Sequence, residues 1–142
     1  MRKSGVYKRE NIVLLDELHG ALKAELSGKI GAVMVFLGVA REKGKAKKKV
    51  TKLIMESYEE NANKAIARIC REVKRKFEVS FVLIYHLLGE FRTGEPVVLV
   101  IVGGARRKGV FSAIEEAVRR YKTEPALFKK EVYVDETYEW IS

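Results

Sequence analysis

The chain has 142 residues, of which 47% are hydrophobic and 33% are charged. This length supports one hydrophobic core, so we expect a single domain over residues 1–142. The net charge of +9 and a pI near 9.7 favour anionic partners, such as phosphorylated metabolites, nucleic acid or an acidic protein.

Three observations concern the compartment. The longest apolar stretches, residues 79–88 and 96–102, are shorter than the roughly 20 residues that a membrane-spanning helix needs. No apolar signal region follows the basic start of the chain. Cys70 is the only cysteine, which excludes an internal disulfide and a multi-cysteine zinc site. We expect a soluble cytoplasmic protein without a metal site.

The first half of the chain contains one predicted helix and two predicted strands. Leucines at every fourth position from Leu14 to Leu26 predict an amphipathic helix over residues 11–26. The almost continuous apolar run 30–39 predicts a strand that is buried on both faces at the centre of a sheet. A second strand is expected at 50–58. The basic segment 41–49 between the strands is expected to be a mobile loop.

The second half contains two more helices and three more strands. The helix predicted over 61–77 buries a face of Ala65, Ile66, Ile69, Cys70, Val73 and Phe77. Strands are expected at 79–88 and 96–102, joined by a glycine-containing hairpin over 89–95. A third helix over 108–122 is expected to bury Phe111, Ile114, Ala117, Val118 and Tyr121, and a last strand follows at 127–134. This order predicts an α+β fold with three helices and a mainly antiparallel or mixed sheet.

The loop that enters the third helix is the best candidate for an anion site. Gly103 and Gly104 allow close backbone approach, and the arginine pair Arg106 and Arg107 can clasp phosphate or carboxylate beside the free amides of a helix start. The alternative is that both arginines are ordinary solvated cations.

The end of the same helix carries a second basic group. Lys122 could simply complement the negative helix end. If Arg106, Arg107 and Lys129 crowded it, like charge would disfavour its ammonium form and make the neutral amine available as a base or nucleophile. The sequence alone leaves both interpretations open.

These residues together resemble the large, catalytic subunit of molybdopterin synthase. The resemblance covers residues 30–140 in order and spacing. Its features are Phe36, Gly38 and Arg41; residues 55–58; His86; Gly89-Glu90; Gly94-Glu95; Arg107; Lys122-Thr123; Pro125; and residues 128–131. It implies an α/β-hammerhead-like fold. One departure is Arg106, where the family usually has histidine, and relatives often continue in a polar tail beyond the position of Ser142.

The resemblance also assigns residue roles. Lys122 matches the central catalytic lysine, and Lys129 matches the second lysine of the pocket. Substrate-binding positions correspond to Val39, Ala40, Arg41, Arg106, Arg107, Lys122, Lys129, Lys130 and Glu131.

The resemblance implies a sulfur-transfer reaction. A small ubiquitin-like partner would insert a C-terminal Gly-Gly thiocarboxylate, and two sulfur transfers would convert cyclic pyranopterin monophosphate into the molybdopterin dithiolene. No cofactor is expected. A homodimer that binds two small partners, a heterotetramer, is implied as well.

Competing hypotheses attach to other features. The basic segment 41–49 could bind nucleic acid, but it lacks aromatic residues for base stacking. A non-catalytic basic module for protein or nucleic-acid binding is the alternative that the arginine at position 106 motivates. Cys70 is in register with an apolar helix face, which favours a buried role over sulfur carriage. His86 lies among apolar residues and favours a structural role.

Overall fold

The computed structural model describes residues 2–44 and 48–141, so residues 45–47 of the predicted mobile loop lie outside it, as do Met1 and Ser142. Three helices accompany one seven-stranded sheet in this part of the chain, which confirms the expected α+β fold. The elements in chain order are β1 (Gly5–Lys8), a 3-10 turn (Arg9–Asn11), α1 (Leu14–Glu25), β2 (Ala32–Val39), β3 (Val50–Ser57), α2 (Glu59–Phe77), β4 (Phe81–Arg92), β5 (Pro96–Gly104), α3 (Arg107–Tyr121), β6 (Leu127–Tyr133) and β7 (Tyr138–Ile141).

The long strand β4 joins two parts of the sheet. Its first half pairs antiparallel with β5, and residues 89–92 pair antiparallel with β3. The strand order is β2-β5-β4-β3-β6-β7, with β1 added parallel to β4. The hairpin predicted between β4 and β5 is present, and Gly94 turns the chain at a φ of 91°, a conformation that favours glycine.

The core lies where β4 and β5 meet α2 and α3. The helix α2 buries Ala65, Ile66, Ile69 and Val73 of the predicted apolar face, together with Ala62, whereas Cys70 and Phe77 are only partly buried. Burial also raises the pKa of the Cys70 thiol on this helix to about 11. The thiol is therefore protonated at neutral pH, as expected for a structural cysteine.

The central position predicted for the first strand is wrong. The strand β2 lies at one edge of the sheet, and Val35, Leu37 and Val39 are each 42–44% exposed on one face. The other face packs against α3, as the contact between the Phe36 and Tyr121 rings shows. A continuous apolar run cannot distinguish a central strand from an edge strand. A strand covered by its own chain and a strand covered by a second chain favour the same residues.

Two helix predictions are wrong in detail, one at the ends of α1 and one on the buried face of α3. The segment before Leu14 forms a 3-10 turn instead of the start of α1, and Leu26 is exposed beyond the end of that helix. Phe111 is 52% exposed, because α3 buries Val110, Ala113, Ile114, Ala117 and Tyr121, which together define its inward face.

Two short strands were not predicted. The strand β1 has four residues and pairs only with a distant strand, so no local pattern marks it. The strand β7 follows a turn in which Asp135 accepts a hydrogen bond from the Thr137 amide, 3.0 Å away. That Asp-Glu-Thr sequence was the available signal for a turn.

Candidate active site

The N-terminus of α3 presents the arginine pair to solvent. The strand β5 ends at Gly104, and the Gly31 amide at the start of β2 donates to its carbonyl over 2.9 Å. Arg106 is the N-cap residue, Arg107 is the first helical residue, and both are exposed. No acidic residue lies in the first turn of this helix. Backbone amides and guanidinium groups therefore coincide at one helix end, the arrangement that binds anions.

The C-terminus of α3 lies beside a buried aromatic group. Tyr121 is the last helical residue, and its ring centroid is 6.5 Å from that of Phe36 and 5.8 Å from that of His86. Lys122 follows as the exposed C-cap residue. The catalytic-lysine candidate is thus exposed at the edge of a largely buried aromatic cluster.

His86 is held neutral within that cluster. Its Nδ1 lies 2.9 Å from the Leu87 carbonyl oxygen, which can only accept, so Nδ1 carries the hydrogen. Burial lowers the pKa of His86 to about 4, the Leu87 hydrogen bond opposes this shift, and the Lys129 charge adds to it. The electrostatic effect of Lys129 indicates that this lysine lies near the same cluster. At neutral pH His86 is uncharged.

Arg41 follows a residue that is bonded to the β4–β5 hairpin. The Ala40 amide donates to the Glu95 carbonyl over 2.9 Å, and the Gly94 amide donates to the Ala40 carbonyl over 2.7 Å. Gly44 then approaches the Glu131 carboxylate so closely that a Cβ would have no room. Arg41 therefore lies in a segment that leads from the hairpin to β6.

The predicted residues of β6 point to both faces of the sheet. Lys129 and Glu131 share one face, and Glu131 is buried and accepts a hydrogen bond from Tyr133 Oη over 3.1 Å. Lys130 points to the other face, where its ammonium lies 4.3 Å from the centroid of the Tyr138 ring and 5.5 Å from that of Trp140. Its side chain therefore does not join Lys129.

The predicted cations form two groups within one chain. Arg41 follows Val39 at one end of β2, and Lys122 and Lys129 lie near that end through their neighbours Tyr121 and His86, whereas Arg106 and Arg107 lie near Ala32 at the other end. The 15 residues of α3 rise about 22 Å between the groups. Arg106 and Arg107 therefore do not crowd Lys122 within a single chain, the arrangement that the sequence had left open, because a helix separates its two ends by its full length.

Comparison with known proteins places the chain in a family. The family model described as MoaE protein matches residues 10–124. The chain belongs to this family. The molybdopterin synthase catalytic subunit of Pyrococcus abyssi is 36% identical over 115 residues, which make up 81% of this chain and 76% of that protein. The resemblance found in the sequence and the expected function in molybdenum cofactor biosynthesis are confirmed, whereas the non-catalytic alternative gains no support.

Solved structures agree with the fold. The molybdopterin synthase structure from Staphylococcus aureus has a TM-score of 0.86 at 25% identity and covers 100% of this chain and 98% of its own. A complex of subunits 1 and 2 of the molybdopterin-converting factor from Helicobacter pylori has a TM-score of 0.70. It covers 99% of this chain and 89% of its own, and at 18% identity it shows the fold alone.

Four of the candidate cations have no carboxylate partner in the described part of the chain. Within residues 2–44 and 48–141, no ion pair joins Arg41, Arg106, Arg107 or Lys122 to a carboxylate. By contrast, Arg120 in the last turn of α3 binds Glu72 and Glu124 at 2.6 Å each. Cations that are left uncompensated in a chain with many carboxylates are available for an anionic ligand.

Other functional chemistry is limited in the described part of the chain. No group of three or more His, Cys, Asp or Glu side chains there could hold a metal ion, and no helix there is long and apolar enough to cross a membrane. The sequence did not reveal Tyr121 as a neighbour of the site, because its helical spacing indicated only a core residue. Nor did it reveal the aromatic contacts of Lys130, which depend on the unpredicted strand β7.

Proposed function

We propose that this chain is the sulfur-transferring catalytic subunit of molybdopterin synthase and that its substrate is cyclic pyranopterin monophosphate. The observation that carries the proposal is the set of cations without an ion-pair partner among the described residues, Arg41 and Lys122 at one end of β2 and Arg106 and Arg107 at the other. A phosphate ester needs such guanidinium and ammonium groups. The family membership supplies the reaction in which this anion takes part.

The partner in this proposal is a small ubiquitin-like protein that ends in a Gly-Gly thiocarboxylate. Its sulfur attacks an oxygen-bearing side-chain carbon of the pterin, so that a C–S bond forms while the C–O bond at that carbon breaks and the oxygen takes up protons and leaves as water. Water then cleaves the acyl–sulfur bond, which leaves the sulfur on the pterin and a carboxylate on the partner. A second partner molecule repeats the transfer and completes the dithiolene.

Two lysines act at the reacting atoms in this mechanism. Lys122 assists the attack and stabilises the negative charge that develops, and Lys129 contributes a second positive charge. His86 supports the site as an uncharged neighbour, since burial keeps its pKa low. Val39, Ala40, Lys130 and Glu131 are proposed to line the substrate site through their backbone or adjacent surfaces.

We further propose that a homodimer completes each site. The strand β2 is an edge strand whose exposed face carries Val35, Leu37 and Val39. Antiparallel pairing of two β2 edges would bring the Ala32 end of one chain beside the Val39 end of the other. Arg106 and Arg107 of the second chain would then approach Arg41 and Lys122 of the first. The separation of about 22 Å within one chain supports this arrangement over a site formed by one chain.

Reconstitution tests the proposal. Purified protein, thiocarboxylated partner and cyclic pyranopterin monophosphate should form molybdopterin, and Lys122→Ala should reduce the rate by about 100-fold or more, as the removal of a group that stabilises the transition state does. The matched control is Lys74→Ala, which removes an exposed lysine from the last turn of α2. Wild-type turnover by Lys122→Ala would contradict the role of this lysine.

A further inference from the structure

One arginine outside the proposed site connects the N-terminal turn to the β4–β5 hairpin. Arg9 binds both oxygens of the Glu95 carboxylate, with Nη1–Oε1 and Nη2–Oε2 distances of 3.1 and 2.8 Å. The same guanidinium donates to the Glu90 carbonyl and lies 4.8 Å from the centroid of the Phe91 ring. Its aliphatic carbons cover Gly89. This bidentate geometry fixes the orientation of Arg9 relative to Glu95 as well as the distance between them.

Glu95 also closes the hairpin itself. Its Oε1 accepts a hydrogen bond from the Arg92 amide over 2.6 Å, and its own amide donates to the Arg92 carbonyl over 3.2 Å. The turn residues Thr93 and Gly94 between them are exposed. The side chain of Glu95 thus holds a solvent-exposed turn in one conformation and anchors it to Arg9.

That turn is bonded to the chain just beyond the end of β2. Regular pairing between β2 and β5 shifts register between Gly38 and Val39, the sign of a bulge. Beyond the bulge, Ala40 bonds to the backbone of Gly94 and Glu95 instead of continuing the ladder. Bulges commonly re-aim a side chain beside an active site. Ala40, the residue before Arg41, is therefore held by the backbone of the turn.

We propose that the ion pair between Arg9 and Glu95 is a positioning element that orients Arg41 toward the phosphorylated substrate. The inference rests on the proposed function for the identity of the anion. Arg9 and Glu95 do not touch the substrate themselves, and they act through the backbone bonds of Ala40. A small displacement of a substrate-binding group has a large effect on binding, since the contacts of a phosphate with guanidinium are directional.

The Arg9–Glu95 pair differs from the neighbouring ion pair between β3 and β4. Lys52 binds Glu90 at 2.5 Å, but neither residue forms a described backbone bond to Ala40. Loss of the Lys52 pair removes a nearby and more exposed salt bridge that does not hold the turn. Lys52→Gln is therefore a matched control for Glu95→Gln.

The test compares these variants in two measurements. Glu95→Gln retains an acceptor for the Arg92 amide but loses the charge that binds Arg9. We expect the KM for the pterin phosphate to rise about fivefold while kcat and Tm change little, which is the size of effect that one exposed ion pair can transmit. The NMR signal of the Arg41 Nε–H group should also shift. The double variant Arg9→Gln with Glu95→Gln should be no worse than Glu95→Gln alone.

The outcomes separate this inference from the proposed function. If wild-type protein forms no molybdopterin, the proposed function fails, and the Arg41 signal alone then decides the positioning role. An Arg41 shift in Glu95→Gln that Lys52→Gln lacks supports that role. An unchanged Arg41 signal, or equal changes in both variants, overturns it. With active wild-type protein, an unchanged KM in Glu95→Gln overturns it as well.

Discussion

The two ends of α3 carry the same sign of charge in different surroundings. At the N-terminus, Arg106 and Arg107 add positive charge to the positive end of the helix, and the first turn supplies no acid to offset it. At the C-terminus, Lys122 is favoured by the negative helix end and lies beside the buried Tyr121 and His86. The first end is arranged to bind an anion, and the second adjoins two buried side chains.

This difference is the basis of the proposal that each site is completed by a second copy of the chain. Family resemblance indicates which residues work together, but it does not indicate which copy of the chain supplies them. The length of α3 excludes close contact between the two ends within one chain. An exposed apolar edge strand that runs alongside the helix offers the route by which two copies could bring opposite ends together.

The largest expected effect comes from placing negative charge on the exposed face of β2. The double variant Val35→Asp with Leu37→Asp places two carboxylates on the exposed face of β2. We expect folded monomers and a loss of turnover of about 100-fold or more, because each site loses the two arginines of the second chain that bind the phosphate and position the substrate. Analytical ultracentrifugation, circular dichroism and the synthase assay measure these outcomes. Val134→Asp, at an exposed position beyond β6, is the control. A fully active monomer would show that the two ends need not meet.

A second prediction concerns the buried His86, which lies near Lys122. Because the folded-state pKa of His86 is about 4, below the usual 6.5, the unfolded chain binds more protons between these values and stability falls as the pH decreases through them. Between pH 6.5 and pH 5 the loss should be roughly 1.5 kcal/mol. Urea unfolding of wild-type and His86→Gln proteins measures it. Equal pH dependence in the two proteins would mean that His86 is accessible to water.

The smallest expected effect comes from Arg106→His. It tests whether the residue at position 106 binds an anion or transfers a proton. Arg106→His should retain turnover within about threefold at pH 6, where much of the imidazole carries positive charge, and should raise the KM for the pterin phosphate by about threefold at pH 8. Wild-type protein should lack this change. Steady-state kinetics at both pH values provides the test. Turnover only in the histidine variant would favour a non-catalytic wild-type chain.

Much of the fold could be predicted from local patterns. The apolar face of α2 and the glycine-marked hairpin between β4 and β5 have periodicities and turn residues that depend on nearby positions only. The strand β1 could not be predicted in this way, because its four residues pair with a strand that lies far along the chain, from Gly5 with Tyr85 to Lys8 with Leu88. The edge position of β2 was not predicted. Apolar residues indicate that a strand is buried, but they do not show whether neighbouring strands or another surface bury it.

The sequence predicted which residues belong to the candidate site but not how they are arranged in space. The sequence identified Arg41, Arg107, Lys122 and Lys129 as anion-binding candidates from their charge and from the resemblance. It could not reveal that Lys130 points away from Lys129, because that depends on the pleat of β6. Nor could it reveal the link from Arg9 to Glu95, which joins residues 86 positions apart.

The most direct test of a site shared between two chains is complementation between inactive variants. Arg107→Ala and Lys122→Ala each remove one end of the shared site, and random pairing of the two proteins makes about half of the dimers hybrids, each with one intact site. We expect the mixture, after exchange of subunits, to recover about a quarter of wild-type molybdopterin formation, because about a quarter of all sites are then intact. No recovery from a mixture that mass spectrometry shows to contain hybrid dimers would contradict the shared site.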